Sequence, residues 1–149
     1  GERATADACP RHFVVRSSWL FGAGGRNFVE TMLDLGEREE QVAVVRDQVG
    51  SPTFTGHLAE GIVRLLDTAA FGVNHMSAAG ECSWHAFAEA IFERAGIDSR
   101  VLPCTSAELG RPAPRPACSV LRSERDGAIR LPTWEEGLAA YLAERVATG

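Results

Sequence analysis

The sequence predicts an α/β fold, and three observations carry that prediction. Short β-branched runs alternate with stretches whose apolar residues recur at helical spacing. Clusters of Gly, Pro, Ser and Asn separate the two kinds of segment. The length of 149 residues suits one domain, and a chain of that size buries roughly 70% of the surface it exposes when unfolded. Such alternation implies crossover connections between strands.

Residues 3–9 read as the end of a helix that Pro10 stops. Phe13-Val14-Val15-Arg16 is a β-branched run and reads as a buried strand. Ser17 to Gly25 is a loop of small residues. Asn27 to Arg38 reads as a helix, with Phe28, Met32, Leu33 and Leu35 on or near one face. Val42-Ala43-Val44-Val45 is a second strand, and Asp47 to Pro52 a loop. Thr55 is placed to N-cap a helix reaching Leu66, with Leu58, Ile62, Leu65 and Leu66 inward.

Val73-Asn74-His75-Met76 reads as a third strand. Ser83 caps a helix through Ala95, apolar at Phe87, Ile91 and Phe92, and Gly96 suits its stop. Arg100 to Cys104 is a short strand. Three prolines keep residues 111–116 out of helix or central strand, because they remove donors and fix φ. Thr133 and Glu136 form a capping box for the last helix, whose stripe is Trp134, Leu138, Tyr141 or Leu142, and Val146. Four short strands are few for a complete doubly wound domain, which leaves room for a sheet shared with residues outside this sequence.

Composition excludes several functions. Net charge is -5, whereas nucleic-acid binding shows as a clustered basic footprint. No apolar run approaches the roughly 18 residues of a membrane span, and Gly1-Glu2-Arg3-Ala4 carries no signal region. All 15 basic residues are Arg, and Tyr141 is the one tyrosine. A Schiff-base lysine, a P-loop lysine or a Tyr–Lys proton-transfer pair is therefore outside these residues. Cys9, Cys82, Cys104 and Cys118 are widely spaced, as reduced thiols of a cytoplasmic protein would be.

The Gly22-Ala23-Gly24-Gly25 cluster lies between a strand and a helix, with Asp47 ending the next strand. It superficially matches a dinucleotide fingerprint. Asn27 stands where the third glycine belongs, and the cluster lies several residues past the strand. The alternatives are a flexible loop, or helix-start N–H groups that face a ligand anion with Arg26 nearby. Cys82 and His85 have no second ligand pair, so no metal is expected. Trp19, beside hydroxyls and glycines, suits either core packing or stacking on a sugar or base. Arg111 and Arg115 lie in a proline-stiffened loop that would pre-organise an Arg fork for phosphate.

These residues resemble a known family. Arg16-Ser17-Ser18-Trp19-Leu20-Phe21-Gly22, Gly25-Arg26-Asn27-Phe28-Val29 and Asp47-Gln48-Val49-Gly50-Ser51-Pro52-Thr53 are similar to segments of the dTDP-4-dehydrorhamnose reductases. Trp84, the Arg111–Ala117 loop with Ser119-Val120-Leu121, and Leu131-Pro132-Thr133-Trp134 with Gly137-Leu138 follow in the same order. The resemblance spans the chain, although Cys118 stands where relatives often carry a larger polar or aromatic residue. The family belongs to the extended short-chain dehydrogenases/reductases, with a Rossmann-type fold. Its members use NADPH to reduce a 4-keto dTDP-sugar to dTDP-L-rhamnose, and no metal is expected here.

The resemblance implies that residues 1–149 form a single substrate-binding portion, the C-terminal part of that fold. Gly1-Glu2 looks like the segment that follows the family's Tyr-x-x-x-Lys pair. The NADPH-binding half and all catalytic residues would then lie upstream, and NADPH would be bound mainly there. For the substrate, the resemblance implicates Trp19, Asn27, Phe28, Gln48, Pro52, Arg111 and Arg115. Ser17 and Ser18 would approach the cofactor. The expected partners are a dTDP-sugar and either the upstream half or a second copy, with uncovered strand edges favouring self-association. Two alternatives stay open: a non-catalytic relative such as a methionine adenosyltransferase β-type subunit, or a small domain with its own dinucleotide site at Gly22–Gly25.

Overall fold

The β-branched runs become parallel strand pairs, and the helices close over them. The computed structural model describes residues 1–110, 113 and 115–148. In chain order the first elements are α1 (Glu2–Ala8), β1 (Phe13–Arg16), β2 (Leu20–Phe21), α2 (Phe28–Arg38) and β3 (Gln41–Val45). Next come β4 (Val49–Gly50), β5 (Thr53–Phe54), α3 (Thr55–Leu66), β6 (Gly72–His75) and β7 (Cys82–Ser83). The last are α4 (Trp84–Ala95), β8 (Arg100–Cys104), α5 (Ser106–Leu109) and α6 (Trp134–Thr148).

β1 pairs with β6 in parallel, Phe13 opposite Gly72 through Arg16 opposite His75. β3 pairs with β8 in parallel, Gln41 opposite Arg100 through Val45 opposite Cys104. Two short ladders accompany them: β2 with β5 in parallel, and β4 with β7 antiparallel. Both long pairs join strands far apart in sequence, which requires the crossover connections expected of an α/β chain.

Two cores result. Val29, Met32 and Leu33 of α2, Phe87, Ala88, Ile91 and Phe92 of α4, and Leu138 and Tyr141 of α6 close over Val42 and Val44 of β3. Leu65, Met76 and Leu131 form a smaller cluster against Phe13, Val15, Leu58 and Ile62. Local signals position the helices. Asn27 and Ser83 cap α2 and α4 through bonds from Glu30 N and Ala86 N. Gly96 ends α4 at φ +67°, in the left-handed region a glycine tolerates. Thr133 and Glu136 make the reciprocal bonds of a capping box at α6.

Three expectations need correction. Phe54 is the N-cap of α3 and no side chain caps it, so Thr55 is the first helical residue. The cause is β5, which runs straight into the helix and leaves no loop residue to cap it. Leu66 is 61% exposed and Val146 83% exposed, so neither faces the core. Residues 17–25 and 47–52, read as loops, contain β2 and β4.

Residues 119–132 hold no helix or strand. Arg125 straps this stretch to the turn before β6 and to β6 itself. Its guanidinium donates to the carbonyls of Ala70, Phe71 and Val73 at 3.0, 2.9 and 3.2 Å, and to Asn74 Oδ1 at 3.1 Å. α1 buries no residue; Arg16 Nε donates to Glu2 Oε1 across 2.8 Å and ties it to β1. Among the described residues no helix is long and apolar enough to cross a membrane.

Candidate functional site

A cavity of about 410 Å³ opens where α2, β3, α4 and α5 meet. Phe28, Met32 and Leu35 from α2, Val42 and Val44 from β3, and Trp84 from α4 make its apolar wall. Gln48, Thr31 and Ser106 supply polar groups, and the exposed Arg115 supplies positive charge. Three residues singled out from sequence, Phe28, Gln48 and Arg115, therefore share one cavity. An apolar slot with a few convergent polar groups suits a small planar ligand carrying an anion.

The polar side is built by a network across 58 residues of chain. Gln48 Nε2 donates to Ser106 Oγ at 2.8 Å, and Ser106 Oγ donates to Asp47 Oδ1 at 2.8 Å. Ser106 N donates to the same carboxylate at 2.9 Å. These two Ser106 donors hold the Asp47 carboxyl below its ordinary range. Asp47 thus anchors the start of α5, and this is the acidic residue a dinucleotide fingerprint would have given to a ribose. Thr105 and Glu108 complete that start as a second capping box, and Thr105 likewise lowers the Glu108 carboxyl.

Trp19 joins the cavity through a neighbour. Its indole stacks on Trp84 with centroids 3.5 Å apart and planes 4° from parallel. Trp84 in turn lies 4.4 Å from Phe28, which stacks on Phe87 at 5.7 Å. Trp19 has φ +48°, uncommon for a residue with a side chain.

The other sequence candidates sit apart from the cavity. Asn27 is engaged inside the chain: Oδ1 accepts from Glu30 N, and Nδ2 donates to the carbonyls of Gly22 and Gly25 at 2.9 and 3.2 Å. The Gly22–Gly25 loop is therefore closed on Asn27 rather than opened toward a phosphate. Pro52 is fully buried. Ser18 is buried and reaches Ser51 O only at 3.4 Å, and Ser17 Oγ is buried with no hydrogen-bond partner. Arg111 lies outside the described residues.

Sequence reasoning gave Trp84 no role and missed Thr31 and Ser106. The Ser106 region carried a legible signal, because Thr105 and Glu108 repeat the S/T-x-x-E spacing recognised at Thr133. A second cavity, about 500 Å³, lies between residues 75–81 and 120–131 and contains none of the predicted residues. Among the described residues no group of three or more His, Cys, Asp or Glu could hold a metal ion. Cys82 is buried, and burial pushes its thiol up to about 12, which keeps it protonated and inert.

Residues 1–147 match the RmlD substrate binding domain family. Over 134 residues the chain is 46% identical to the spore coat polysaccharide biosynthesis protein SpsK of Bacillus subtilis (strain 168), covering 89% of this chain and 47% of that protein. A dTDP-4-dehydrorhamnose reductase structure from Clostridium acetobutylicum ATCC 824 superposes with TM-score 0.92 at 40% identity, over 97% of this chain and 52% of that one. Another, from Bacillus anthracis str. Ames in complex with NADP, gives TM-score 0.85 at 42% identity, over 89% and 48%. The chain spans about half the length of the curated relatives it matches.

Proposed function

This chain belongs to the RmlD substrate-binding domain family, and from that membership we propose that it supplies the sugar-nucleotide-binding half of an NADPH-dependent dTDP-4-dehydrorhamnose reductase. The reaction reduces the 4-keto group of dTDP-4-dehydro-6-deoxy-L-mannose to give dTDP-L-rhamnose, in the cytoplasm. The observation that carries this reading is the cavity shared by Phe28, Gln48, Trp84 and Arg115. In it, thymine lies against Trp84 and Phe28 with Gln48 at its polar edge. Arg115, with Arg111 beside it in sequence, faces the diphosphate, for which a guanidinium fork is suited. The hexose then extends toward Trp19.

Reduction needs a hydride at C4 and a proton at the keto oxygen, delivered by an acid of suitable pKa. These 149 residues contain no lysine. Their one tyrosine, Tyr141, is 4% exposed and donates to Glu30 Oε1 at 2.6 Å. Neither part of a Tyr–Lys pair is on offer, so this chain alone binds without turning over.

The described residues do not by themselves fit a nicotinamide dinucleotide. Asn27 closes the glycine loop and Ser106 occupies Asp47. We therefore assign NADPH mainly to a second half that carries the Tyr–Lys pair. Ser17 Oγ, just past β1, is an unpartnered buried atom that this chain can contribute there.

Titration with dTDP, followed by tryptophan fluorescence, tests the binding half of the proposal. Saturable quenching, weakened by Arg115→Ala and by Gln48→Ala, is expected; no response overturns it. Following NADPH absorbance with the 4-keto sugar nucleotide tests the rest. A flat trace is expected from this chain alone, and turnover would refute its assignment as a non-catalytic half.

A further inference from the structure

We propose that Gly50 and Trp84 are positioning residues for Trp19, and that through it they set how tightly the hexose of a dTDP-sugar is held. The inference rests on the function proposed above and adds residues to it. It starts from the Trp19 backbone, whose φ of +48° is one that a residue with a side chain keeps only where its surroundings over-determine it. The surroundings here are specific. Thr53 N donates to Trp19 O at 3.1 Å, and Leu20 pairs with Thr53 in the β2–β5 ladder, so β5 fixes the main chain.

The ring is fixed from a second ladder. In β4–β7, Gly50 lies opposite Cys82, two residues before Trp84. One antiparallel pair thus delivers both groups that meet the Trp19 indole. Trp84 stacks on it at 3.5 Å with planes 4° apart. A Cβ added to Gly50 would fall 2.6 Å from Trp19 Nε1 and 2.7 Å from Cδ2, so a residue with a side chain at position 50 displaces the ring. Gly50 is buried and lies outside the cavity lining.

The arrangement has a chemical consequence because Trp84 does two things. It lines the nucleotide cavity and it stacks on Trp19. The half-buried Trp19 indole is therefore placed relative to whatever occupies that cavity. An aromatic face held at a fixed offset from a nucleotide site can discriminate dTDP carrying a hexose from dTDP alone.

The test compares dTDP with dTDP-L-rhamnose on the full chain, in the wild type and in Gly50→Ala, Trp84→Ala and Trp84→Phe. The quantity read is the ratio of the two dissociation constants, because a general loss of folding or of cavity shape affects both ligands. A ratio favouring dTDP-L-rhamnose by about tenfold in the wild type, the size of one well-made contact, is expected to collapse toward unity in Gly50→Ala and Trp84→Ala. Trp84→Phe, which keeps an aromatic face, is expected to restore most of it. The exciton-coupled circular dichroism of the indole pair reports the stack without any ligand and is expected to vanish in Gly50→Ala. A Gly50→Ala variant that loses the indole couplet yet keeps the ratio overturns the proposal, as does a couplet that survives in Gly50→Ala. A wild type that binds neither ligand overturns the sugar-nucleotide reading instead, while the couplet still decides whether Gly50 places the ring.

Discussion

The side of the molecule built on α2, α4 and α6 and the side built on α1, β1, β6 and α3 use similar residues and close differently. On the first, three helices bury Phe87, Ile91, Leu138 and Val29 completely. Most of its helix starts carry a side-chain cap. On the second, the buried cluster is Leu65, Met76 and Leu131, α3 starts uncapped, and α1 buries nothing. Val63 and Leu66 of α3 are 62% and 61% exposed, and Val73 of β6 is 40% exposed. The cavity lined by Phe28, Gln48 and Trp84 belongs to the self-sufficient side. The other side has the character of a surface that another body completes, the position we assign to the half carrying the Tyr–Lys pair.

The largest expected effect breaks the stronger side. Phe87→Ala should destabilise the chain by about 3–5 kcal/mol, because Phe87 packs against Phe21, Phe28 and Trp134. Leu65→Ala should cost about 2 kcal/mol, since the smaller cluster has room to relax. Urea melts of the two variants decide the matter, and equal losses would erase the contrast.

The alkaline limb should also trace to the stronger side. Burial, and then the bond to Glu30, raise the Tyr141 pKa. The neutral phenol is thus favoured in the fold. Its contribution is complete below the tyrosine value of the unfolded chain, about 10, and is lost as pH rises through the higher folded value. Melting temperatures from pH 8 upward should fall more steeply for wild type than for Tyr141→Phe.

The smallest effect on stability is expected on the weaker side. Val63→Ser with Leu66→Ser should change stability by no more than about 0.5 kcal/mol, the range for exposed positions. We expect the same pair to reduce self-association of the isolated chain in sedimentation velocity. Unaltered association would remove this helix face from the account.

The α/β class, the long strands and the helices were legible because periodicity over four or more residues and capping residues are local signals. Ser83, Gly96 and the Thr133–Glu136 pair each act where the sequence put them. The family resemblance held along nearly the whole chain. The two-residue strands β2, β4, β5 and β7 were illegible, because alternation has no meaning over two residues. Val146 and Leu66 continue a helical stripe past the point where a neighbour exists, and periodicity cannot see where packing ends.

The candidate site was legible in part. Phe28, Gln48 and Arg115 converge, whereas Asn27 turned out to be a cap and loop clamp, and Pro52 to be buried. Trp84 escaped notice as a site residue because its stack with Trp19 joins positions 65 residues apart, through ladders that no local pattern announces.

The Arg125 strap bears on the order of events in folding. Four bonds from one guanidinium hold an irregular stretch to β6 and the turn before it, more than fifty residues earlier. Those acceptors converge only once β6 has formed, so we expect the strap to close late in folding and to open early in unfolding. Arg125→Ala should raise the unfolding rate with little change in the refolding rate, as measured by stopped-flow chevrons. The fold would then owe its lifetime, more than its speed of formation, to a single arginine.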